Sequence, residues 1–306
     1  MIAIAWFVAI IVSMIINHHH IITQEYNGII TAGEITYNGI GSIIINVVIM
    51  IFISIILSYL SQQHDLSKED NLLPIQFFLF FQLLTPTLIY QNSIYNLTTL
   101  LTLILITLLY SCYQQDNRVV EKSFILSFII SIISVFEAHI IFFLPLFFIG
   151  MIQMQAASAR SIAAMIVGLI TPYWIIWGMG WIDATQIDFS VLSITLQQPV
   201  FSWNVVACIS VMTIGLFMGM GNLVNALNEN IKTRAKNGFI NIVSVFTALL
   251  MIFDNSRYTM YLPLLNSCVA LQACYFFTSR QGRVYNIIFY LLILLLLAYT
   301  TWIYFL

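Results

Sequence analysis

Residues 123–154 read SFILSFIISIISVFEAHIIFFLPLFFIGMIQM, thirty-two positions with one ionisable cluster, Glu137 and His139, near the middle. A single helix of that length would reach about 48 Å, well past a hydrocarbon core of about 30 Å. Cations frame the run: Arg118 and Lys122 precede it and Arg160 follows it. Cationic loops stay on the cytoplasmic side, so both flanks share that side only if the chain crosses and comes back. The turn then falls at Phe136-Glu137-Ala138-His139, between arms at 123–137 and 140–154. Arms of roughly 15 residues span about 22 Å each. The tip is therefore expected to lie recessed below the outer surface.

The rest of the chain has the same character. Its 306 residues are 61% hydrophobic and 7% charged, with a mean hydropathy of +0.97. A soluble domain carries about 25% charge, so water is excluded as the solvent for most of this surface. Further apolar runs lie near 1–17, 41–60, 74–90, 97–113, 162–182, 199–221, 239–253, 260–279 and 284–306. Together they predict one all-α, polytopic transmembrane helical bundle of about 11 spans, or 10 if 123–154 is one helix. The first run lacks a basic n-region and a small-x-small cleavage site, so it reads as a retained span.

Counted from a cytoplasmic N-terminus, the inner loops hold Lys68, Arg118, Lys122, Arg160, Lys232, Arg234, Lys236, Arg280 and Arg283. That is nine of the ten cations; Arg257 alone falls outside, and the C-terminus ends outside. The bias is strong evidence for this orientation of a multi-pass membrane protein. Net charge is −2 with no basic stripe, which argues against nucleic acid as a partner. Cys112, Cys208, Cys268 and Cys274 sit in or at the ends of apolar runs without CxxC spacing. Neither a disulfide framework nor a zinc site follows from them.

Chemistry is expected in the outer loops. The first, from His18 to Ile40, carries Glu25 and Glu34, three histidines and a repeated YNGI at Tyr26–Ile29 and Tyr37–Ile40. The two glutamates are candidates for a general base or a metal-binding pair. In an extended segment His18 and His20 share a face, the arrangement one divalent ion would need beside a glutamate; no cofactor or metal is otherwise predicted. Glu137 with His139 is the sharper pair, because a carboxylate inside the membrane profile usually faces a cavity or a partner. Arg257 is the outer cation suited to a phosphate, or to pairing with Asp254, Asp183 or Glu137. Trp174, Trp177 and Trp181 fit an interfacial aromatic belt. Asn46, Gln76, Gln82, Asn204, Asn266 and Gln272 are expected to hydrogen-bond between helices. Pro86, Pro145, Pro172 and Pro263 are read as tolerated kinks within spans.

The stretch Asn71–Met179, through SFILSFIISIISVFEAHIIFFLPLFFIGMI and GLITPYWIIWG, resembles an uncharacterised family of polytopic inner-membrane proteins from Bacteroidetes, of similar length. In architecture the chain also looks like C-type glycosyltransferases, which use polyprenyl-phosphate sugars. That resemblance implies a transferase in which Glu25 or Glu34 serves as base or metal ligand and Arg257 holds the lipid phosphate. The leading expectation is an envelope-biogenesis protein with an outward-facing cavity for a lipid-linked substrate. The alternatives are a non-catalytic scaffold bound to a membrane-protein partner and, third, a transporter. The lipid bilayer is the constant partner in all three.

Overall fold

In the computed structural model the 123–154 run breaks at Glu137. Described are residues 2–17, 21–27, 32–63, 72–85, 87–90, 93–114, 118–180, 192, 194, 203–226, 229–279 and 282–305. The helices in chain order are α1 (Ile2–Asn17), α2 (Gly39–Gln63), α3 (Leu73–Leu83), α4 (Thr87–Tyr90), α5 (Ser93–Tyr110), α6 (Val119–Phe136) and α7 (Phe143–Gln153). They continue as α8 (Ala159–Gly178), α9 (Trp203–Ala226), α10 (Ile231–Phe253), α11 (Tyr258–Ser279) and α12 (Arg283–Phe305). Between α1 and α2 lies a short two-stranded ribbon, β1 (Ile21–Asn27) with β2 (Ala32–Asn38), in a chain that is otherwise helical, as expected. Both YN pairs of the repeated YNGI end a strand: Asn27 closes β1 and Asn38 closes β2.

Among the described residues, seven helices are long and apolar enough to cross a membrane: α2, α6, α8, α9, α10, α11 and α12. The other expected spans coincide with shorter apolar helices at 73–83, 94–110 and 138–153, and with the 16-residue α1. Two expected boundaries are corrected. The 74–90 run is split into α3 and α4 around Thr85, because a proline removes a backbone donor and disfavours helix before it. Helix α10 starts at Ile231, not 239, so Lys232, Arg234 and Lys236 occupy its first turns; Lys236 is buried. A long stem lets lysine pack its methylenes against a helix bundle, which a loop-by-loop charge count does not register.

The chain forms two compact units, one of residues 1–22, 37–100 and 195–306, the other of 23–36 and 101–194. The first is organised around α11, whose most apolar window is 94% buried. Helices α3, α9 and α10 pack on it. Gly215, Gly219 and Gly221 of α9 face it: an added Cβ would meet Val269 at 2.7 Å from position 215 and Phe276 at 2.4 Å from position 221. Small residues let backbones approach closely where lipid supplies no hydrophobic drive. Polar groups then tie the helices. Gln272 Nε2 donates to Asn241 Oδ1 at 2.9 Å, and Asn222 Nδ2 donates to the Gln272 carbonyl at 2.9 Å.

The second unit is dominated by the pairing of α6 with α8. Ser123, Ser127, Ser131 and Ser134 form a buried stripe along α6. The first two bond back to their own helix, Ser123 to Val119 O and Ser127 to Ser123 O, which keeps these hydroxyls satisfied inside a tight interface. The last two reach across: Ser131 Oγ donates to Leu169 O at 2.7 Å, and Ser134 Oγ lies 2.6 Å from Tyr173 Oη. Gly168 sits against Phe124 and Ser127. Contacts thus advance along both chains together, from 124 with 168 to 134 with 173, so α6 and α8 are parallel. Parallel helices joined by one segment require that segment to run back their length. Here the return is the 3₁₀ turn Ala138–Phe142 followed by α7.

Candidate functional site

Helix α6 stops because Glu137 takes extended backbone angles (φ −138°, ψ 98°), with its own N–H still bonded to Ile133 O at 2.8 Å. The chain reverses through Ala138–Phe142. Glu137 is 4% exposed and His139 fully buried, its ring edge-on to Phe142 at 5.7 Å. Both ionisable groups therefore sit in one turn, sheltered by protein. At the opposite end of the pair, Val119 and Arg160 line a cavity of about 520 Å³. Arg118 and Lys122 lie at the start of α6 and Arg160 at the start of α8, so these cations share one end. Lys122 Nζ donates to Ser111 O at 2.8 Å, fastening the chain after α5 to α6.

The arms are unequal, against the even division expected from the sequence. At 1.5 Å per residue the 18-residue α6 is about 27 Å long, while the 11-residue α7 covers about 16 Å. The remainder of the second arm is the 3₁₀ turn. Local chemistry sets the far end of α7. Gln155 adopts a left-handed φ of 57°, and Ala156 N–H donates to Met151 O at 2.9 Å, closing the helix as a left-handed cap does. Ser158 and Ser161 then exchange side-chain and backbone bonds at 3.1 and 2.8 Å to start α8, a capping box built from two serines.

The remaining sequence candidates are distributed as follows. Glu25 lies in β1 and Glu34 in β2, each two residues from the connection between the strands. So short a connection permits only antiparallel pairing, and in a regular hairpin equal distances from the turn bring two positions opposite each other. Arg257 is half-buried in the 3₁₀ turn Asn255–Arg257 between α10 and α11. Asp254 beside it is buried. It is 1% exposed and accepts from Ser256 Oγ at 3.0 Å and Tyr261 Oη at 3.4 Å. Arg257 belongs to the first unit, while Glu25, Glu34, Glu137 and His139 belong to the second. Trp174 and Trp177 are exposed and pack edge to face at 5.5 Å, as an aromatic belt would. His18, His19, His20, Trp181, Asp183 and Asp188 lie outside the described residues. Among the described residues no three His, Cys, Asp or Glu side chains gather to hold a metal ion.

Sequence reasoning underrated the neutral polar residues. Asn46 and Gln272 do hydrogen-bond between elements as expected: Asn46 Nδ2 donates to Ile89 O at 2.8 Å, and Asn46 Oδ1 accepts from Asn96 Nδ2 at 2.9 Å. Asn96 Nδ2 also reaches Leu88 O at 2.7 Å. These two asparagines satisfy carbonyls freed where α4 is interrupted. Gln82 and Asn266, by contrast, are fully buried, and neither amide atom has a partner among the described residues.

Fold and polar anatomy together define a multi-pass helical membrane protein. No family model, curated protein or solved structure matches the chain.

Proposed function

We propose that this protein handles a lipid-linked substrate at the outer face of a bacterial cytoplasmic membrane, with Glu137 and His139 as its acid–base pair. The observation that carries this reading is the placement of a buried carboxylate and a buried imidazole two residues apart at a helix break. Ionisable groups within the membrane profile are costly and are generally retained for function. The eleven-span topology, with an inner N-terminus and an outer C-terminus, is part of the same reading. It is supported by the parallel α6–α8 pair, which puts the cations at one end and Glu137 at the other.

In a transferase of this kind Glu137 takes the proton of an acceptor hydroxyl as that oxygen bonds to the sugar's anomeric carbon. The carbon–phosphate oxygen bond breaks and polyprenyl phosphate leaves. His139 orients the carboxylate. The test is mass spectrometry of lipid that stays bound through purification. Polyprenyl phosphate is expected with the wild-type protein, and Glu137→Gln should shift it toward the sugar-loaded form. Bound lipid that merely mirrors the bulk membrane refutes the reading.

A scaffold is the second reading, favoured by α12, of which only 11% of the most apolar window is buried. Its exposed face includes Tyr290, Leu294 and Trp302. A membrane protein that co-purifies stoichiometrically, and is lost when Leu294 is replaced by Lys, would support it.

A further inference from the structure

The cavity of about 520 Å³ between the starts of α6 and α8 is used by neither helix. Val119 and Val120 form one wall, Ala159 and Arg160 another, and the connection from Gln155 to Ser158 closes it. The first four N–H groups of a helix have no partner within it. In α8 the capping box covers two of them: Ser158 N–H donates to Ser161 Oγ and Ser161 N–H to Ser158 Oγ. Those of Ala159 and Arg160 are left over. Helix α6 begins at Arg118 with no side-chain cap, so Val119 and Val120 keep theirs as well. The four residues with spare donors are the same four that face the cavity from the two helices.

Room and charge select the occupant. Ligand pockets run from about 300 to 1,000 Å³, and this one falls inside that range. Its wall is preformed, since the left-handed turn at Gln155 and the capping box fix the connection. Arg160 brings a guanidinium to the lining, and Arg118 and Lys122 stand at the same end. No acid among the described residues lines the cavity; Glu121, in the first turn of α6, is exposed and outside it. Spare N–H groups, two helix dipoles and a guanidinium all favour an anion, and a phosphate accepts from several donors at once. Depth narrows the choice further. Helices of 18 and 20 residues are about 27 and 30 Å long, close to the hydrocarbon thickness, so their starts reach the level of lipid headgroups. Basic pockets between membrane helices on the cytoplasmic side bind phosphate-bearing headgroups.

We propose that this cavity binds a phosphate group, carried by an anionic phospholipid or by a free solute, with Arg160 as its charged contact. The site lies at the far end of α6 from Glu137, so it does not rest on the acid–base reading, and Glu137→Gln should leave it unchanged. The test follows thermal unfolding of the full chain in phosphatidylcholine nanodiscs, in two arms. One dopes the discs with phosphatidylglycerol; the other adds inorganic phosphate, compared with chloride at equal ionic strength. At least one arm should raise Tm by a few degrees, and the arm that responds identifies the source. Arg160→Gln, scored against its own melting without added ligand, should lose most of the rise. Lys232→Gln removes an exposed cation of the first unit and should keep it. Ala159→Pro deletes one donor at the first position of α8, where proline fits and the preceding Ser158 is already extended (φ −134°, ψ 160°). It should fold and weaken the rise, and it decides the matter if Arg160→Gln does not fold. No rise in either arm, a rise that Arg160→Gln keeps, or one that Lys232→Gln loses equally overturns the proposal.

Discussion

Replacing Gly168 by alanine tests the α6–α8 pairing on which the out-and-back path rests. A Cβ built at Gly168 would lie 2.2 Å from Ser127 Oγ and 2.5 Å from the backbone oxygen of Phe124. The hydroxyl can rotate, but the carbonyl belongs to α6 and moves only with the helix. Ordinary contact begins at about 3.4 Å, so the pair must separate by roughly 0.9 Å. Overpacking of this kind typically costs about 1–3 kcal/mol. Separation also strains the Ser131–Leu169 and Ser134–Tyr173 bonds, each worth about 0.6 kcal/mol in a membrane protein. Alanine recovers about 1 kcal/mol of helix propensity, leaving a net loss of about 1–3 kcal/mol. The assay is thermal unfolding in one fixed detergent, with Gly178→Ala as control, since a Cβ there meets nothing within 4 Å. Gly178→Ala should melt at or slightly above wild type, since it gains helix propensity and meets no obstacle. If Gly168→Ala melts at or above wild type, the two helices do not meet at this residue and the parallel register is wrong.

Three further outcomes follow from the same packing. Gln272→Leu leaves Asn241 Oδ1 without its 2.9 Å donor and should cost about 1–2 kcal/mol; adding Asn241→Leu should recover part of that loss, and strict additivity would refute the coupling. Cysteines placed at Arg118 and Ser158 should react with an impermeant maleimide from the same side of a sealed vesicle, because the parallel helices start at one end; labelling from opposite sides refutes the crossing and return. Cys112 should alkylate far more slowly at neutral pH than an exposed thiol. Burial pushes its pKa up and Lys122 only partly opposes this, so the reactive thiolate is scarce until the pH is well into the alkaline range. Lys122→Gln should slow it further; faster alkylation would contradict the assigned cause.

Much of the second unit is legible in the sequence. The helix break at Glu137 follows from two cationic flanks and a run too long for one crossing, both one-dimensional quantities. The serine stripe at 123, 127, 131 and 134 was also in plain view. Its meaning was not, because a serine that back-bonds to its own helix and one that bridges two helices have the same spacing. The partner, Gly168, lies more than thirty positions away. The early start of α10 was missed for a related reason: three cations look like a loop when burial is judged by charge, yet Lys236 packs inside. The burial of Asp254 was not legible either, because nothing in FDNSRYT announces that Tyr261 donates to it.

The two kinds of polar residue make the division plain. Composition by itself determined that the chain lives in lipid, since an apolar surface of this extent has no soluble alternative. The sparse cations determined which run turns back, because moving charge across a membrane is costly whatever the helices do. Which buried amides are already partnered was decided only by tertiary structure. Asn46 and Asn266 have the same side chain in similarly apolar surroundings. One finds the carbonyl of Ile89 and the amide of Asn96, while the other finds no partner among the described residues. A hydrogen bond depends on where a second helix places its atoms to within a few tenths of an ångström, and hydropathy does not encode that.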